Sequence, residues 1–175
     1  MMEDTVKHNW MVLLGCAAII LLASPSEGWS RATKRQCVVT PERIKTLLKN
    51  WATKLNDSTA TKPGPVLGTY ADRAVLLPTC SNGPLTTRDQ IASYFFAFLQ
   101  DAPKVEIEPD KALIGGDCNY AFASGLYTFT TRDSQVLRAR YTYVFRQHEI
   151  VQHHSSLEPQ ARGTVPRSLC KDKPE

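Results

Sequence analysis

The stretch LRARYTYVF, residues 137–145, alternates apolar and polar side chains except at Val144, and the polar residue Arg146 follows it. Successive side chains of a strand point to opposite faces, so this pattern predicts a strand with one apolar and one polar face. The apolar set is Leu137, Ala139, Tyr141, Tyr143 and Phe145. We expect this set to pack on helices, while the arginine-bearing face meets solvent or a second subunit.

Segments on either side of this strand resemble its neighbours in a sheet. Residues 119–131 and 149–156 are predicted as strands, with Gly125 as a β-bulge that curves the sheet. The short apolar run Ala74–Leu77 is predicted as a further, buried strand. The second half of the chain is therefore expected to form a meander.

Helical patterns come before the meander. Thr40, Pro41 and Glu42 combine a hydroxyl N-cap, a proline in the first turn and an acidic residue, which is typical of a helix start. Apolar residues then recur with a period of 3.6, at Ile44, Leu47, Leu48, Trp51 and Leu55. A second amphipathic helix is predicted for residues 87–99, and a short helical stretch for the residues before Tyr70. Helices followed by a meander indicate an α+β fold, in which a curved antiparallel sheet wraps over the helices.

The N-terminal residues are typical of a secretory signal. An apolar run from Trp10 to Ala23 follows Lys7 and ends at small and helix-breaking residues. Its length is below the ~20 residues of a spanning helix, which makes an uncleaved anchor the less favoured alternative. We expect residues 1–28 to be removed and the chain to be exported to a secreted, periplasmic or organelle-lumen location, with no membrane attachment afterwards.

The charge of the mature chain is mildly basic. Removing Lys7 and three acidic residues from totals of 21 basic and 17 acidic residues raises the net charge from +4 to +6. The basic residues are dispersed, which argues against a nucleic-acid partner. The charge supports at most a general attraction for small anions.

Four cysteines remain after cleavage, and an exported context makes disulfides the expected state for an even number. They are Cys37, Cys80, Cys118 and Cys170. Spacing alone leaves all three connectivities open. A zinc site is disfavoured because the sequence has no CxxC pair.

Six motifs carry a resemblance to a known family: WATKLN (51–56), YADRAVLLPT (70–79), YFFAFL (94–99), GLYTFT (125–130), ARYTYVF (139–145) and HHSS (153–156). They resemble the association-domain family of calcium/calmodulin-dependent protein kinase II, and most closely its exported branch with the iota-class carbonic anhydrases. The resemblance spans residues 37–159. It implies a nuclear transport factor 2-like (NTF2-like) cone and a homodimer or larger ring.

The same resemblance implies a set of site residues. Bicarbonate would be held by Thr79, Tyr94, His154 and Ser156. Because a site without zinc needs another way to activate water, we further predict His154 as general base and Tyr94 and Ser156 as catalytic hydroxyls. Further walls and donors are expected from Tyr127, Tyr141 and Tyr143. The chain departs from the family pattern at Gln152, where a histidine is usual, and in a last hairpin about four residues shorter. Because an even deletion keeps strand parity, His154 and Ser156 are still expected to face inward.

Strand parity also bears on metal binding. His153 and His154 would point to opposite faces, so they cannot bind one ion. His148 has the parity of His154 but would lie roughly 20 Å from it along a strand. We therefore expect no cofactor and a metal-free site, with zinc or manganese as the alternatives.

Three functions stay open at this point: hydration of CO2, binding of a small anion or metabolite without turnover, and homo-oligomerisation. The predicted organisation is a signal peptide (1–28), a linker (29–36), the cone (37–159) and a C-terminal tail (160–175). The resemblance further implies disulfides Cys37–Cys118 and, with weaker support, Cys80–Cys170. The predicted partners are CO2, bicarbonate or another small anion, and further copies of the chain.

Overall fold

A computed structural model of the protein describes residues 39–159. The predicted signal peptide, linker and C-terminal tail lie outside these residues. Its helices are α1 (Pro41–Asn56), α2 (Gly64–Leu67) and α3 (Arg88–Phe98). Its strands are β1 (Tyr70–Leu77), β2 (Lys104–Ile107), β3 (Leu113–Gly116), β4 (Ala121–Thr130), β5 (Val136–Arg146) and β6 (Glu149–Leu157). Over residues 39–159, no helix combines the length and apolar character needed to cross a membrane.

The start of α1 is the predicted one. The Thr40 side chain accepts a hydrogen bond from the backbone N–H of Arg43, and Pro41 opens the first turn. The helix buries one stripe against the sheet, formed by Ile44, Leu48, Trp51, Ala52 and Leu55. At its last residue, the Asn56 side chain accepts from the backbone N–H of Val105 at 2.8 Å and donates to the carbonyl of Val105 at 3.0 Å. These two bonds attach the end of α1 to β2.

Helix α3 begins with a capping box. The Thr87 hydroxyl accepts from the backbone N–H of Gln90, and the Gln90 side chain accepts from the backbone N–H of Thr87. Two backbone donors that would otherwise be unpaired are satisfied in this way. Its inner face, with Tyr94 and Phe95, is buried. The predicted helix for residues 87–99 is confirmed, and a short 3-10 turn follows it.

All six strands form one sheet, in the order β1-β6-β5-β4-β2, and β3 pairs with β4 beside β2. The prediction of a wholly antiparallel sheet is wrong at one edge, where β1 runs parallel to β6. A parallel pair needs a long crossover connection, and the chain between β1 and β6 supplies it. Strand β1 is also longer than predicted, and Val75 and Leu77 on its outer face are partly exposed.

Gly125 is not a bulge. The ladder between β4 and β5 is continuous, and Gly125 pairs with Tyr141 without a register shift. A β-carbon at Gly125 would lie 2.6 Å from the Tyr141 hydroxyl. Glycine is needed there because the Tyr141 side chain crosses the strand at this point.

The bulge lies in β6 instead, at Val151. Phe145 of β5 pairs with Ile150, but the next residue of β5, Val144, pairs with Gln152. One residue of β6 is therefore left unmatched, as in a β-bulge. Beyond this point, every β6 side chain points to the face opposite to the one that a regular ladder would give it.

The protein thus has an α+β fold in which a curved mixed sheet packs over α1 and α3, as in the NTF2-like cone. Aromatic residues dominate the core. The His153 ring stacks on Tyr143 at 4.1 Å and meets Trp51 edge-on at 5.6 Å between ring centroids. Tyr127 packs on Trp51 from the next strand, at 5.9 Å. The core is thus continuous with a group of polar atoms, which forms the candidate site.

Candidate functional site

A small cavity lies between the inner face of the sheet and helices α1 and α3. Its volume is about 40 Å³. Its polar lining consists of Thr79, Tyr94, Tyr127, His153 and Ser155, together with Cys80. Its apolar lining consists of Trp51, Leu76, Pro78, Phe95, Phe98, Phe129, Leu137, Ala139 and Leu157. Among these described lining residues there is no Asp, Glu, Lys or Arg.

The parallel pairing of β1 with β6 brings two of the polar residues together. Leu77 near the end of β1 pairs with His154. Thr79 follows two residues later, and its hydroxyl lies 3.0 Å from the Ser155 hydroxyl. The edge that departs from the predicted antiparallel order therefore builds one wall of the cavity.

Hydrogen bonds join the polar side chains into one chain, here called the hydroxyl chain. It runs from Trp51 through Tyr70, His153, Tyr127 and Ser155 to Thr79. From one end to the other, the donor–acceptor distances are 3.2, 2.8, 3.4, 2.6 and 3.0 Å. Its members lie on α1, β1, β6 and β4 and in the segment after β1, so the hydroxyl chain crosses from the β1 edge to β4 and returns.

His153 is the only histidine among the described residues of this cavity lining, and it is uncharged. Burial, and secondarily the neighbouring His154, lower the pKa of His153 from 6.5 to about 3. An imidazolium here would lose its hydration without gaining a counter-charge, because the described lining holds no carboxylate. His153 therefore acts as a neutral hydrogen-bonding group at physiological pH.

The tyrosine hydroxyls of the site remain protonated. Burial raises the pKa of both Tyr94 and Tyr127, although the bond to Ser155 partly opposes the effect at Tyr127. Burial also raises the pKa of Tyr70 well above its usual value. The cavity thus offers neutral donors and acceptors, which can bind oxygen atoms but do not carry charge.

Of the predicted site residues, Thr79, Tyr94 and Tyr127 lie in the cavity lining, and His154 and Ser156 do not. The predicted inward orientation of His154 and Ser156 is wrong, because the bulge at Val151 moves His153 and Ser155 to the inner face. His154 pairs with Thr142 and Leu77 on the outer face of the sheet instead. The parity argument itself holds, since His153 and His154 do point to opposite faces.

Tyr141 is also displaced from its predicted role. It is buried but does not belong to the cavity lining, and its hydroxyl has no hydrogen-bond partner among the described residues. The same is true of the Tyr143 hydroxyl. The rings of these two tyrosines fill the core beside the hydroxyl chain without joining it.

Four members of the hydroxyl chain are absent from the predicted site: Trp51, Tyr70, His153 and Ser155. The sequence predicts Trp51 only as part of the apolar stripe of α1. A hydrophobic pattern marks the residue as buried but does not reveal a hydrogen bond from its indole N–H. The resemblance and strand parity put His154 and Ser156 inward, which leaves His153 and Ser155 on the outer face in the prediction. The missing signal was the bulge, which sequence spacing does not reveal.

Two structural predictions concern metals and cysteines. Within residues 39–159, no three side chains of His, Cys, Asp or Glu lie close enough together to hold a metal ion. Cys80 and Cys118 each take part in a disulfide bond. Their predicted partners, Cys37 and Cys170, lie outside the described residues, so both pairings stay predictions.

Neither a protein-family model nor a curated protein matches the chain significantly. Solved structures do. A protein from Xanthomonas campestris described as a calcium/calmodulin-dependent protein kinase II association domain is 32% identical, covers 67% of this chain and 86% of its own, and has a TM-score of 0.58. An NTF2-like protein of unknown function from Pseudomonas putida is 16% identical, with coverage of 66% and 84% and a TM-score of 0.56. A protein of unknown function with a cystatin-like fold from Nostoc punctiforme is 16% identical, with coverage of 68% and 91% and a TM-score of 0.56.

Proposed function

The chain belongs to the calcium/calmodulin-dependent protein kinase II association-domain family, with its NTF2-like fold, and we propose that its cavity binds CO2 and hydrates it without a metal ion. The observation that carries the proposal is a small, uncharged cavity whose hydroxyls come from helix α3, strands β4 and β6, and the segment after β1. On this proposal the chain acts as a carbonic anhydrase, like the iota class that the sequence motifs resemble most.

The size of the cavity favours a very small ligand. A water molecule needs about 10 to 15 Å³ of such volume, so a cavity of about 40 Å³ has room for roughly three or four heavy atoms. Pockets for drug-sized metabolites are about ten times larger. CO2 with an attacking water molecule matches this space, and a larger metabolite does not.

The charge of the cavity favours a neutral reaction path. His154 lies on the outer face, and His153 has a pKa of about 3, so neither histidine is placed to act as the general base in the cavity. We propose instead that the water oxygen bonds to the carbon of CO2 while the water gives a proton to a cavity hydroxyl. The same hydroxyl gives its own proton to a CO2 oxygen. The product leaves as carbonic acid and ionises in solvent.

We expect three residues to contact the substrate: Thr79, Ser155 and Tyr94. Thr79 and Ser155 form the end of the hydroxyl chain, and we propose that one of their hydroxyls relays the proton from water to CO2. Tyr94 lines the cavity from helix α3. Aligned hydroxyls reduce the barrier because they need little reorientation during the reaction. Bicarbonate, the product after ionisation, carries a charge that the described lining does not neutralise, which favours its release.

The proposal is tested by measuring CO2 hydration by the purified full chain with a stopped-flow pH indicator. We expect hydration that survives exhaustive chelation and stays level across the neutral pH range, because no cavity group discussed above titrates there. Activity that disappears with chelator and returns with zinc or manganese would contradict the metal-free path. Binding of bicarbonate without turnover would favour the alternative of a small-anion module.

Homo-oligomerisation is the second candidate, and the outer face of the sheet favours it. On this face, Val75 and Leu77 of the edge strand β1 are partly exposed, as is Leu126 of β4, which pairs with Arg140. Apolar side chains exposed together on a sheet are typical of an interface. The relative from Xanthomonas campestris is itself described as an association domain, and we propose that a second copy of this chain binds this face.

Light scattering tests this second candidate. We expect the full chain to be at least dimeric at micromolar concentration, and Leu77→Lys to shift it toward monomer, because a charge would be buried in the interface. Asp72→Lys, at an exposed position earlier in β1, is the control for added charge. A monomeric wild-type chain would rule out assembly as the function of this face.

A further inference from the structure

Tyr70 lies outside the cavity lining but is bonded to His153 within it. The Tyr70 hydroxyl has two partners, the indole N–H of Trp51 at 3.2 Å and Nδ1 of His153 at 2.8 Å. An indole N–H can only donate a hydrogen bond. The Tyr70 oxygen therefore accepts from Trp51, and the single hydroxyl hydrogen of Tyr70 is left for Nδ1 of His153.

These hydrogen bonds favour one tautomer of His153. If Nδ1 accepts from Tyr70, the hydrogen of the neutral imidazole lies on Nε2, which agrees with Tyr127 donating its own hydrogen to Ser155 and not to Nε2. Nε2–H is directed to the hydroxyl oxygen of Tyr127 at 3.4 Å. The Tyr127 hydroxyl in turn donates to the hydroxyl oxygen of Ser155 at 2.6 Å.

One hydroxyl hydrogen is then left for a ligand. Ser155 and Thr79 have two hydroxyl hydrogens between them, and the bond that joins them uses one. Whichever of the two donates to the other, the second hydrogen has no acceptor within the hydroxyl chain. The Ser155–Thr79 pair therefore presents a donor to the cavity.

The opposite tautomer would reverse this property. With its hydrogen on Nδ1, His153 would accept at Nε2 from Tyr127. Ser155 would then donate to Tyr127, and Thr79 would donate to Ser155. No hydroxyl hydrogen of the pair would remain, and the cavity would present only lone pairs there.

We propose that Trp51 and Tyr70 are positioning residues that hold His153 as the Nε2–H tautomer, so that the cavity selects a small uncharged ligand that accepts a hydrogen bond. The identification of this ligand with CO2 rests on the proposed function. The tautomer and its control by Tyr70 do not depend on it.

The tautomer is read directly from the imidazole nitrogen chemical shifts of the full chain labelled with 15N-histidine. We expect His153 to carry its hydrogen on Nε2 in the wild-type protein at neutral pH. In Tyr70→Phe, where Nδ1 loses its donor, we expect a mixture of the two tautomers. If Tyr70→Phe does not fold, Trp51→Phe serves in its place, because it removes the indole donor that orients the Tyr70 hydroxyl hydrogen toward Nδ1.

Tyr143→Phe is the matched control. It removes the same atom from an equally buried tyrosine that also packs on the His153 ring, but this hydroxyl lacks any partner within residues 39–159. We expect it to keep the wild-type tautomer. A purely structural effect of losing a buried hydroxyl would change the nitrogen shifts in both variants alike and would overturn the proposal.

Hydration of CO2 supplies the second readout. We expect Tyr70→Phe to lower kcat about tenfold, the effect of one hydrogen bond, while Tyr143→Phe stays near the wild-type value. Nδ1–H in the wild-type protein, or an unchanged tautomer in Tyr70→Phe, would overturn the positioning role even if the chain hydrates CO2. The expected nitrogen shifts in a chain that does not hydrate CO2 would refute the proposed function and leave the positioning role standing.

Discussion

Replacing Ser155 by alanine will lower the kcat for CO2 hydration about 100- to 1,000-fold, the usual loss when one preorganised donor is removed from a site. The substitution breaks the hydroxyl chain between Tyr127 and Thr79 and removes a hydrogen that the proton transfer requires. The volume change is one oxygen atom, so the fold is expected to persist. Stopped-flow hydration assays, with circular dichroism to confirm folding, measure the effect.

Ser156→Ala is the matched control, because it makes the same chemical change one residue further along β6. Ser156 pairs with Arg140 on the outer face. We expect its rate to stay within about twofold of wild type, as for surface substitutions in general. A large loss in Ser156→Ala with none in Ser155→Ala would mean that the bulge at Val151 is absent and that the face assignment is wrong.

A steep loss of stability in acid is the second large effect that we expect. His153 has a pKa of 6.5 in the unfolded chain and about 3 in the folded protein. Between these values the unfolded chain binds the proton and the folded protein does not, so the free energy of unfolding decreases as pH falls through this window. The contribution of His153 is full above pH 6.5 and declines by roughly 5 kcal/mol by pH 3.

Urea unfolding at a series of pH values measures this effect. In His153→Phe, which keeps a ring against Tyr143 but cannot titrate, the slope should be smaller by about 1.4 kcal/mol per pH unit over most of the window. His154→Asn is the control and should keep the steep wild-type slope. Carboxylates such as Asp110 and Asp117, whose pKa values are lowered in the folded protein, contribute alike to all three proteins. Equal slopes in the wild type and His153→Phe would contradict the burial of a neutral imidazole.

Local patterns predicted most of the elements, because each rests on neighbouring residues alone. The cap at Thr40, the helical stripe around Trp51 and the alternation of β5 all appear in the structure as predicted. The parallel β1–β6 edge had no such local pattern. It depends on contacts between residues far apart in the chain, such as the pairing of Leu77 with His154.

The site could be predicted only in part, and one residue explains most of the error. Thr79 and Tyr94 were identified from motifs that match position by position. For β6, the two-residue turn after Arg146 would pair Tyr143 with Gln152 in a regular ladder and turn His154 inward. The extra residue at Val151 pairs Tyr143 with His153 instead. A bulge is stabilised by packing on both neighbouring strands, so the sequence of β6 alone does not predict it.

The composition of β6 gives the bulge a further consequence. Around Gln152, the strand is built from doublets of similar residues: Ile150 with Val151, His153 with His154, and Ser155 with Ser156. A slip by one residue that brings Val151, His154 and Ser156 to the inner face would exchange each inner residue for a similar one. The cavity would then still contain a histidine and a serine. The two faces of β6 therefore carry nearly the same residue types. The surrounding residues decide which alignment forms, since the Tyr70 hydroxyl bonds to His153 and not to His154. A deletion of one residue in the preceding hairpin, which would move His154 and Ser156 to the inner face, would on this basis be tolerated far better here than in a strand whose two faces differ.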